Sequence, residues 1–248
     1  MRSGVFAVTG MLLISGATAA AEIKVLSTQA TEQSYRELAP QFEEMTGHKV
    51  TTIFTGTLDA DKRLAAGESY DLLIMSAPSI DQHIKDGKLV AGSRVDVAKS
   101  GVGLAVKKGA AKPDISTTEA LKRTLIAAES IGYSTGPSGE IVLALLRRLG
   151  VLNQVRSKMK QTPTGVFVGS IIASGEVQIG FQQVSELSQF AGVDYVGPLP
   201  ADIQQYTTFS SGIVKNAKEP EAARALVAFI TAPEAATAFR KRGMEPHQ

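Results

Sequence analysis

The stretch "IGYSTGPSGEIVLALLRRLG", from Ile131 to Gly150, is the part of the sequence that best indicates how the chain folds. A short apolar segment leads into a glycine-rich turn, Gly136–Gly139, and then into an amphipathic helix that ends at Gly150. Such a turn opens a helix whose free N–H groups and positive dipole end attract anions. It has neither the lysine of GxxxxGK[ST] nor the spacing of GxGxxG, so a nucleotide loop is excluded. Two interpretations remain, a plain turn before a helix and one wall of an anion site.

The same alternation of strand and helix extends along the chain on both sides of this stretch. Residues 22–28, 48–56 and 71–78 are strand-like, and helical spacing of apolar residues follows each of them. The centre of segment 71–78 is wholly apolar, which is typical of a buried parallel strand. The rhythm restarts after Ser100, and no long Ser/Pro/Gly linker divides the chain. These patterns predict an α/β fold with parallel sheets, in two domains joined by ordinary strands.

Residues 1–21 have the features of a secretory signal peptide. Arg2 supplies a positive start, the run "VFAVTGMLLISGA" is apolar, and the small residues of "ATAAA" suit cleavage near Ala19–Ala21. The apolar run is short for a membrane span, and an uncleaved anchor is the alternative interpretation. We therefore expect a periplasmic protein whose mature chain starts near Glu22.

Composition narrows the classes of function. The chain has no cysteine, and its net charge of +2 falls to +1 when the leader, with Arg2 as its only charged residue, is removed. Such a balance gives no indication of nucleic-acid binding. His48, His83 and His247 are far apart and lack metal-ligand spacing. We expect no metal and no cofactor, and no Ser-His-Asp or paired-carboxylate motif requires an enzyme.

Four stretches carry a family resemblance: "GTLDADKRLAAGESYDLLIMSAPSIDQHIKDGKLV", "GPSGEIVLALLRRLG", "GEVQIGFQQVSEL" and "EPEAARALVAFITAPEAATAFRKRGMEP". With them the chain resembles the periplasmic substrate-binding proteins of ABC importers, type II fold, in the molybdate-binding branch. The resemblance implies two lobes, residues 22–99 with 207–248 and residues 100–206, joined by two crossing strands near 101–106 and 206–213. It also implies a monomer that holds a small anion between the lobes and delivers it to a membrane permease.

The resemblance further implies ligand contacts in the loops that follow strands. Its ligand-binding positions fall at Thr28, Gln29, Ala30, Thr57, Ser138, Gly165, Val166 and Gln183. Ala30 stands where the molybdate binders have a serine, and Gln183 stands where they have a tyrosine. Thr57 keeps a hydroxyl, Ser138 adds one, and a backbone amide is expected near Gly165. These departures keep the geometry for an anion but make an organic carboxylate at least as suitable a ligand as an oxometalate.

An enzyme is the second hypothesis, because aconitate isomerase is a catalytic relative on this scaffold. Its reaction moves a proton and requires a base and donors for the developing charge. Tyr133, Glu140, His83 and Glu32 are the candidate proton carriers. His83 on a solvent-facing surface and Glu140 as compensation for a helix dipole are the simpler alternatives. Arg63 either reaches a ligand carboxylate or lies on a solvated helix face.

Overall fold

The computed structural model describes residues 20–188 and 190–247, so the predicted signal peptide lies outside the described residues except for Ala20 and Ala21. The strands are β1 (Glu22–Thr28), β2 (Lys49–Thr55), β3 (Leu72–Ser76), β4 (Val95–Lys107), β5 (Ile131–Tyr133), β6 (Met159–Gln161), β7 (Ile179–Gln183), β8 (Val193–Pro198), β9 (Tyr206–Ile213) and β10 (Met244–Pro246). The helices are α1 (Glu32–Thr46), α2 (Thr57–Ala65), α3 (Ala77–Lys85), α4 (Thr118–Ala127), α5 (Pro137–Arg148), α6 (Leu152–Val155), α7 (Val168–Ala173), α8 (Val184–Leu187), α9 (Pro220–Ile230) and α10 (Ala236–Arg240). Within the described part of the chain, no helix has both the length and the apolar composition that crossing a membrane requires.

The long strand β4 belongs to two sheets. The first sheet has the order β2-β1-β3-β9-β4, with β10 also on β4, and the second has the order β4-β7-β5-β6, with β8 also on β4. In the first sheet β1 is parallel to β2 and β3, and in the second β5 is parallel to β6 and β7. Gly101 pairs with Tyr206 in the first sheet, whereas Val102 pairs with Gln183 in the second. The chain therefore passes from one sheet to the other in a single backbone step.

Each sheet carries helices on its faces and builds its own hydrophobic core. Strand β3 is buried along its whole length, as the apolar centre of segment 71–78 predicts. Leu72 and Ile74 pack into the cluster under α1 and α9, while Leu73 and Met75 pack into the cluster under α2 and α3. Because side chains alternate across a strand, both faces of β3 must be covered, and helices on both sides cover them.

The boundaries of most elements follow the sequence patterns. Gly47 adopts φ 75°, the left-handed conformation in which glycine commonly ends a helix, and it ends α1. Helix α5 begins at Pro137, so the glycine turn is partly its first turn rather than a separate loop. The sequence patterns did not predict four short elements, which are α6, β6, α8 and β10, each of three or four residues. Elements this short contain less than two periods of either hydrophobic pattern, so periodicity cannot detect them.

One buried carboxylate, that of Asp71, ties the first sheet to helix α9. Its Oδ2 accepts the backbone N–H of Lys24 at 2.8 Å, and its Oδ1 accepts those of Lys218 at 2.7 Å and Glu219 at 3.0 Å. Asp71 is 3% exposed, so water cannot replace it as an acceptor. The carboxylate therefore satisfies N–H groups at the start of α9 that the helix itself leaves unpaired.

We expect Asp71→Ala to lower the free energy of unfolding by about 3 kcal/mol or more, because three backbone N–H groups lose their buried acceptor. Chemical denaturation followed by circular dichroism measures the change. Asp86→Ala, at an exposed helix end, is the matched control and should change stability by less than about 0.5 kcal/mol. Equal effects of the two substitutions would contradict this role of Asp71.

Candidate functional site

A small cavity lies where strands of both sheets end. It has a volume of about 40 Å³, and we call it the inner cavity. All eight positions predicted as ligand contacts line it: Thr28, Gln29, Ala30, Thr57, Ser138, Gly165, Val166 and Gln183. The lining also includes Ser134, Gln182 and Glu186, but no Lys, Arg or His. Residues far apart in the sequence thus meet around one cavity that polar, mostly neutral groups surround.

The topology explains why these residues meet. Strands β1, β2, β5 and β7 each end beside the cavity, and a helix or a 3₁₀ turn begins within four residues of each strand end. Gly56 caps α2 and Gly136 caps α5, so the first N–H groups of both helices are near the lining. The carboxyl ends of parallel strands are the common place for ligands in open α/β sheets. Helix N-termini at such an edge favour an anion.

The glycine turn before α5 is held by a serine pair. The hydroxyls of Ser134 and Ser138 lie 2.8 Å apart, and the N–H of Gly139 donates to Ser134 Oγ at 3.1 Å. Both serines are buried. A Cβ on Gly139 would lie 1.9 Å from the carbonyl oxygen of Ser134, so no larger residue fits there without moving the backbone. The turn therefore has a fixed shape, with Ser138 on the cavity wall.

A hydrogen bond crosses the gap between the two sheets at the cavity. The side chain of Gln29, after β1 in the first sheet, donates to the carbonyl oxygen of Gly165 at 3.0 Å. A Cβ on Gly56 would lie 3.0 Å from the backbone nitrogen of Gly165, so the two glycines pack closely. Gly165 itself adopts φ 79°, which favours glycine. The two sides thus touch across the inner cavity and enclose it.

Two of the predicted ligand positions also have structural roles. The methyl group of Ala30 belongs to the core of the first sheet. The Gln183 amide, oriented so that each atom has a suitable partner, donates to the carbonyl oxygens of Ser100 at 3.0 Å and Gly101 at 3.2 Å and accepts from the Thr207 hydroxyl at 2.8 Å. Gln183 therefore joins β7 to β4 and β9 where β4 passes between the sheets.

Glu186, which the sequence patterns did not predict as a site residue, is the single ionisable side chain among the described residues that line the inner cavity. It belongs to the short helix α8, which directly follows β7. Desolvation by the surrounding protein raises the pKa of its carboxyl to about 8. Hydrogen bonds from the Gln183 backbone and the Gln182 side chain oppose this rise, and the Glu32 carboxylate adds to it. Its position three residues after Gln183 in "QQVSEL" was the available signal.

The predicted proton carriers lie elsewhere. His83 is buried rather than facing solvent, and its Nε2 lies 3.0 Å from Asp61 Oδ1. Tyr133 packs against the core of the second sheet. Neither of these two side chains lines the inner cavity. Glu32, also absent from that lining, pairs with Arg36 at 2.8 Å at the start of α1.

Arg63, for which a ligand carboxylate and a solvated helix face were the two alternatives, is engaged by two acidic side chains. Its guanidinium binds Asp59 at 2.9 Å and Glu68 at 3.2 Å. The Asp59 carboxylate also accepts from the hydroxyl of Thr55 at 2.7 Å, and these bonds lower the pKa of Asp59. Arg63 thus stabilises the first turns of α2 and is absent from the lining of the inner cavity.

A larger cavity of about 630 Å³ adjoins the inner one, and we call it the outer cavity. The two share Thr57, Thr135, Gly136 and Pro137 in their linings. Glu140, exposed on the first turn of α5, lines the outer cavity only. Among residues 20–188 and 190–247, no group of three or more His, Asp or Glu side chains is placed to hold a metal ion.

Gly139→Ala should lower the free energy of unfolding by about 2 kcal/mol or more, because its Cβ meets the backbone of Ser134. Gly136→Ala is the matched control in the same turn. A Cβ there has its nearest neighbour at 3.9 Å, and its φ of −90° suits alanine, so the loss should stay below about 1 kcal/mol. Denaturation of both variants tests the shape of the turn, and a Gly139→Ala protein as stable as the control would contradict it.

Comparison with known proteins gives the family. The sequence profile of the family described as bacterial extracellular solute-binding protein matches residues 23–245. An aconitate isomerase from Pseudomonas sp is 35% identical over 90% of this chain and 87% of that protein. The molybdate-binding protein ModA of Azotobacter vinelandii is 28% identical over 94% of each chain.

The solved structures confirm the predicted fold. The periplasmic molybdate-binding protein of Azotobacter vinelandii superimposes with a TM-score of 0.78 at 21% identity, covering 91% of this chain and 100% of that one. This similarity confirms the α/β fold in which helices flank the sheet, and the profile match confirms the family resemblance. The chain therefore belongs to the bacterial extracellular solute-binding protein family.

Proposed function

We propose that the protein captures a small anion in the inner cavity and delivers it to an ABC importer in the membrane. The observation that carries the proposal is the lining of that cavity. Hydroxyls, side-chain amides and the starts of α2 and α5 surround it, and none of its described lining residues is a cation. Helix dipoles and hydrogen-bond donors hold anions well in such a site, since their orientation is fixed before the ligand arrives.

Capture would proceed by closure of two lobes, residues 22–99 with 207–248 and residues 100–206. The Gln29–Gly165 hydrogen bond and the contact between Gly56 and Gly165 support this, because they cross from one lobe to the other at the cavity. The two crossing strands, near 101–106 and 206–213, are the connections about which the lobes would turn. In the periplasm, reached through the signal peptide of residues 1–21, a monomer would suffice for this cycle.

The ligand class we favour is an organic acid. One carboxylate fits a cavity of about 40 Å³, and the outer cavity of about 630 Å³ gives room for the rest of the molecule. Ala30 and Gln183 also favour an organic acid, because neither side chain has the hydroxyl that the molybdate binders carry at that position. The Gln183 amide is further occupied with Ser100, Gly101 and Thr207.

A second candidate function is isomerisation of an unsaturated tricarboxylate. The 35% identity to an aconitate isomerase favours it, as does a cavity-lining acid, Glu186, whose pKa of about 8 suits proton transfer near neutral pH. Of the earlier candidates, Glu140 borders the outer cavity, whereas Tyr133 and His83 line neither cavity. The enzyme and the binding protein would use the same anion site.

Thermal unfolding of the mature protein tests the anion site. We expect trans-aconitate, cis-aconitate or citrate at about 100 times its Kd to raise Tm by roughly 5 to 10 °C, through preferential binding to the folded state. Sulfate, phosphate, molybdate and tungstate complete the panel. Stabilisation by molybdate alone would contradict the organic-acid assignment, and no shift with any anion would contradict the proposed function.

Gln29→Ala tests closure over the ligand. Loss of its bond to Gly165 should weaken binding of the stabilising anion about tenfold. Gln41→Ala, on the exposed side of α1, is the control and should bind as the wild type does. Calorimetric titration of the two variants gives the comparison, and equal affinities would show that the bond does not assist binding.

Incubation with trans-aconitate distinguishes the two functions. Nuclear magnetic resonance would follow formation of the cis isomer at high protein concentration. We expect binding without conversion if the protein is a transporter component. Steady conversion would instead establish the isomerase, and Glu186→Gln should then lower kcat at least a hundredfold, because a general acid or base is lost.

A further inference from the structure

The cavity places one carboxyl group where the proposed anion would lie. Glu186 lines the inner cavity together with Gln182 and Gln183 from one side and with Thr28 and Gln29 from the other. The Gln29 and Gln182 amides and the Thr28 hydroxyl can donate hydrogen bonds to an anion, whereas the Gln183 amide is occupied by Ser100, Gly101 and Thr207. A carboxylate only accepts, and it would repel a negative ligand in contact with it.

Among the residues that the structure describes, no cation acts on Glu186 to offset that repulsion. The elements that pack against α8 are β4, β7, β8, α7 and the 3₁₀ turn Gln29–Thr31, which leads into α1. β7, α7 and the 3₁₀ turn carry no charged residue, and the Glu32 carboxylate at the start of α1 adds negative charge near Glu186.

The charged groups of the two remaining strands are occupied elsewhere. Asp96 is paired with Arg94 at 2.8 Å, Lys99 with Glu245 at 2.9 Å and Asp194 with the Gly109 N–H at 2.8 Å. Lys107, the last residue of β4, lies beside Gly175. Burial raises the pKa of Tyr195 on β8 to about 12, so its phenol stays neutral. Beyond these strands, Gly243 packs on Val184, the first residue of α8. The two cations that precede this glycine, Lys241 and Arg242, pair with Glu37.

We propose that Glu186 binds the anion in its protonated form, donating a hydrogen bond to it, and thereby selects fully ionised oxyanions and carboxylates. This inference rests on the proposed anion site and assigns it a specificity-determining residue. The proton comes from solvent and stays on the Glu186 carboxyl, so when an anion binds to the ionised protein, Glu186 takes up one proton and the anion stays ionised. A ligand that keeps its own acidic proton would gain no such advantage.

The pH dependence has a definite sign. Below about pH 8 the free protein already carries the proton, so affinity is independent of pH. Above that value the proton must be taken up on binding, and affinity should fall about tenfold for each pH unit. The bound state thus favours the neutral acid, and raising the pH through 8 weakens binding.

Calorimetric titration with trans-aconitate and with molybdate between pH 6 and pH 10 tests the inference, because both probes are fully ionised over most of this range. Two buffers of different ionisation enthalpy give the number of protons taken up, which should be near zero at pH 6 and near one at pH 9.5. Wild-type affinity that stays constant to pH 9.5 without proton uptake would overturn the inference but leave the proposed anion site standing.

Glu186→Gln keeps a donor of similar shape and removes the titration. Relative to its own affinity for the same probe at pH 7, we expect the variant to lose the decline above pH 8 that the wild type shows. Glu234→Gln, at an exposed carboxylate, is the matched control and should keep the wild-type profile. A Glu186→Gln profile identical to that of the control would overturn the inference.

A measurement without ligand keeps the test independent of the probe. Carbon-13 resonances of the glutamate carboxyls, with the Glu186 signal assigned by its absence in Glu186→Gln, give the midpoint of its titration. A midpoint near pH 8 supports the inference, and one below pH 5 overturns it. Failure of every probe to bind, by contrast, would contradict the anion site itself.

Discussion

The step from Gly101 to Val102 is the constraint on which the rest of the structure depends. On one side of it β4 pairs with β9, and on the other it pairs with β7. Two glutamines fix the step. Gln204 accepts the Val102 N–H at 3.0 Å and donates to its carbonyl at 2.9 Å, while Gln183 bonds to the carbonyls just before it. The side-chain amides thus replace strand partners that the backbone lacks where it leaves one sheet.

This step also determines the chemistry of the cavity. Pairing of Val102 with Gln183 fixes where β7 ends, and α8 starts at the next residue. Glu186 therefore faces the cavity for the same reason that Gln183 holds β4. The proposed anion site and the connection between the sheets share one strand end, so a change in the relative position of the sheets would also move Glu186.

Sequence patterns were sufficient for most of the fold and for part of the site. Periodicity and glycine positions predict β1, α1 and β3 because those signals are local and extend over several residues. The eight site positions came from the family resemblance, which places loops in order along the chain. Neither source could reveal the desolvation of Glu186, which depends on residues distant in sequence, or the engagement of Arg63 by Asp59 and Glu68. His83 illustrates the same limit, since its burial against Asp61 follows from the packing of α3 on α2.

A binding protein and an isomerase would use the same cavity, but each would require different protonation behaviour of the Glu186 carboxyl. A binding protein is served by a carboxyl that stays protonated and donates one hydrogen bond. An isomerase needs a group that gives up and regains a proton within each turnover, and a pKa near the working pH makes both directions accessible. Desolvation of Glu186 provides the first property and brings its pKa into the range of the second. The difference between the two functions then lies in whether a ligand carbon bearing an acidic hydrogen comes within hydrogen-bond distance of that carboxyl. In the proposed site the outer cavity would govern this placement, since its walls at Thr57 and Pro137 would orient the part of the ligand that the inner cavity does not hold.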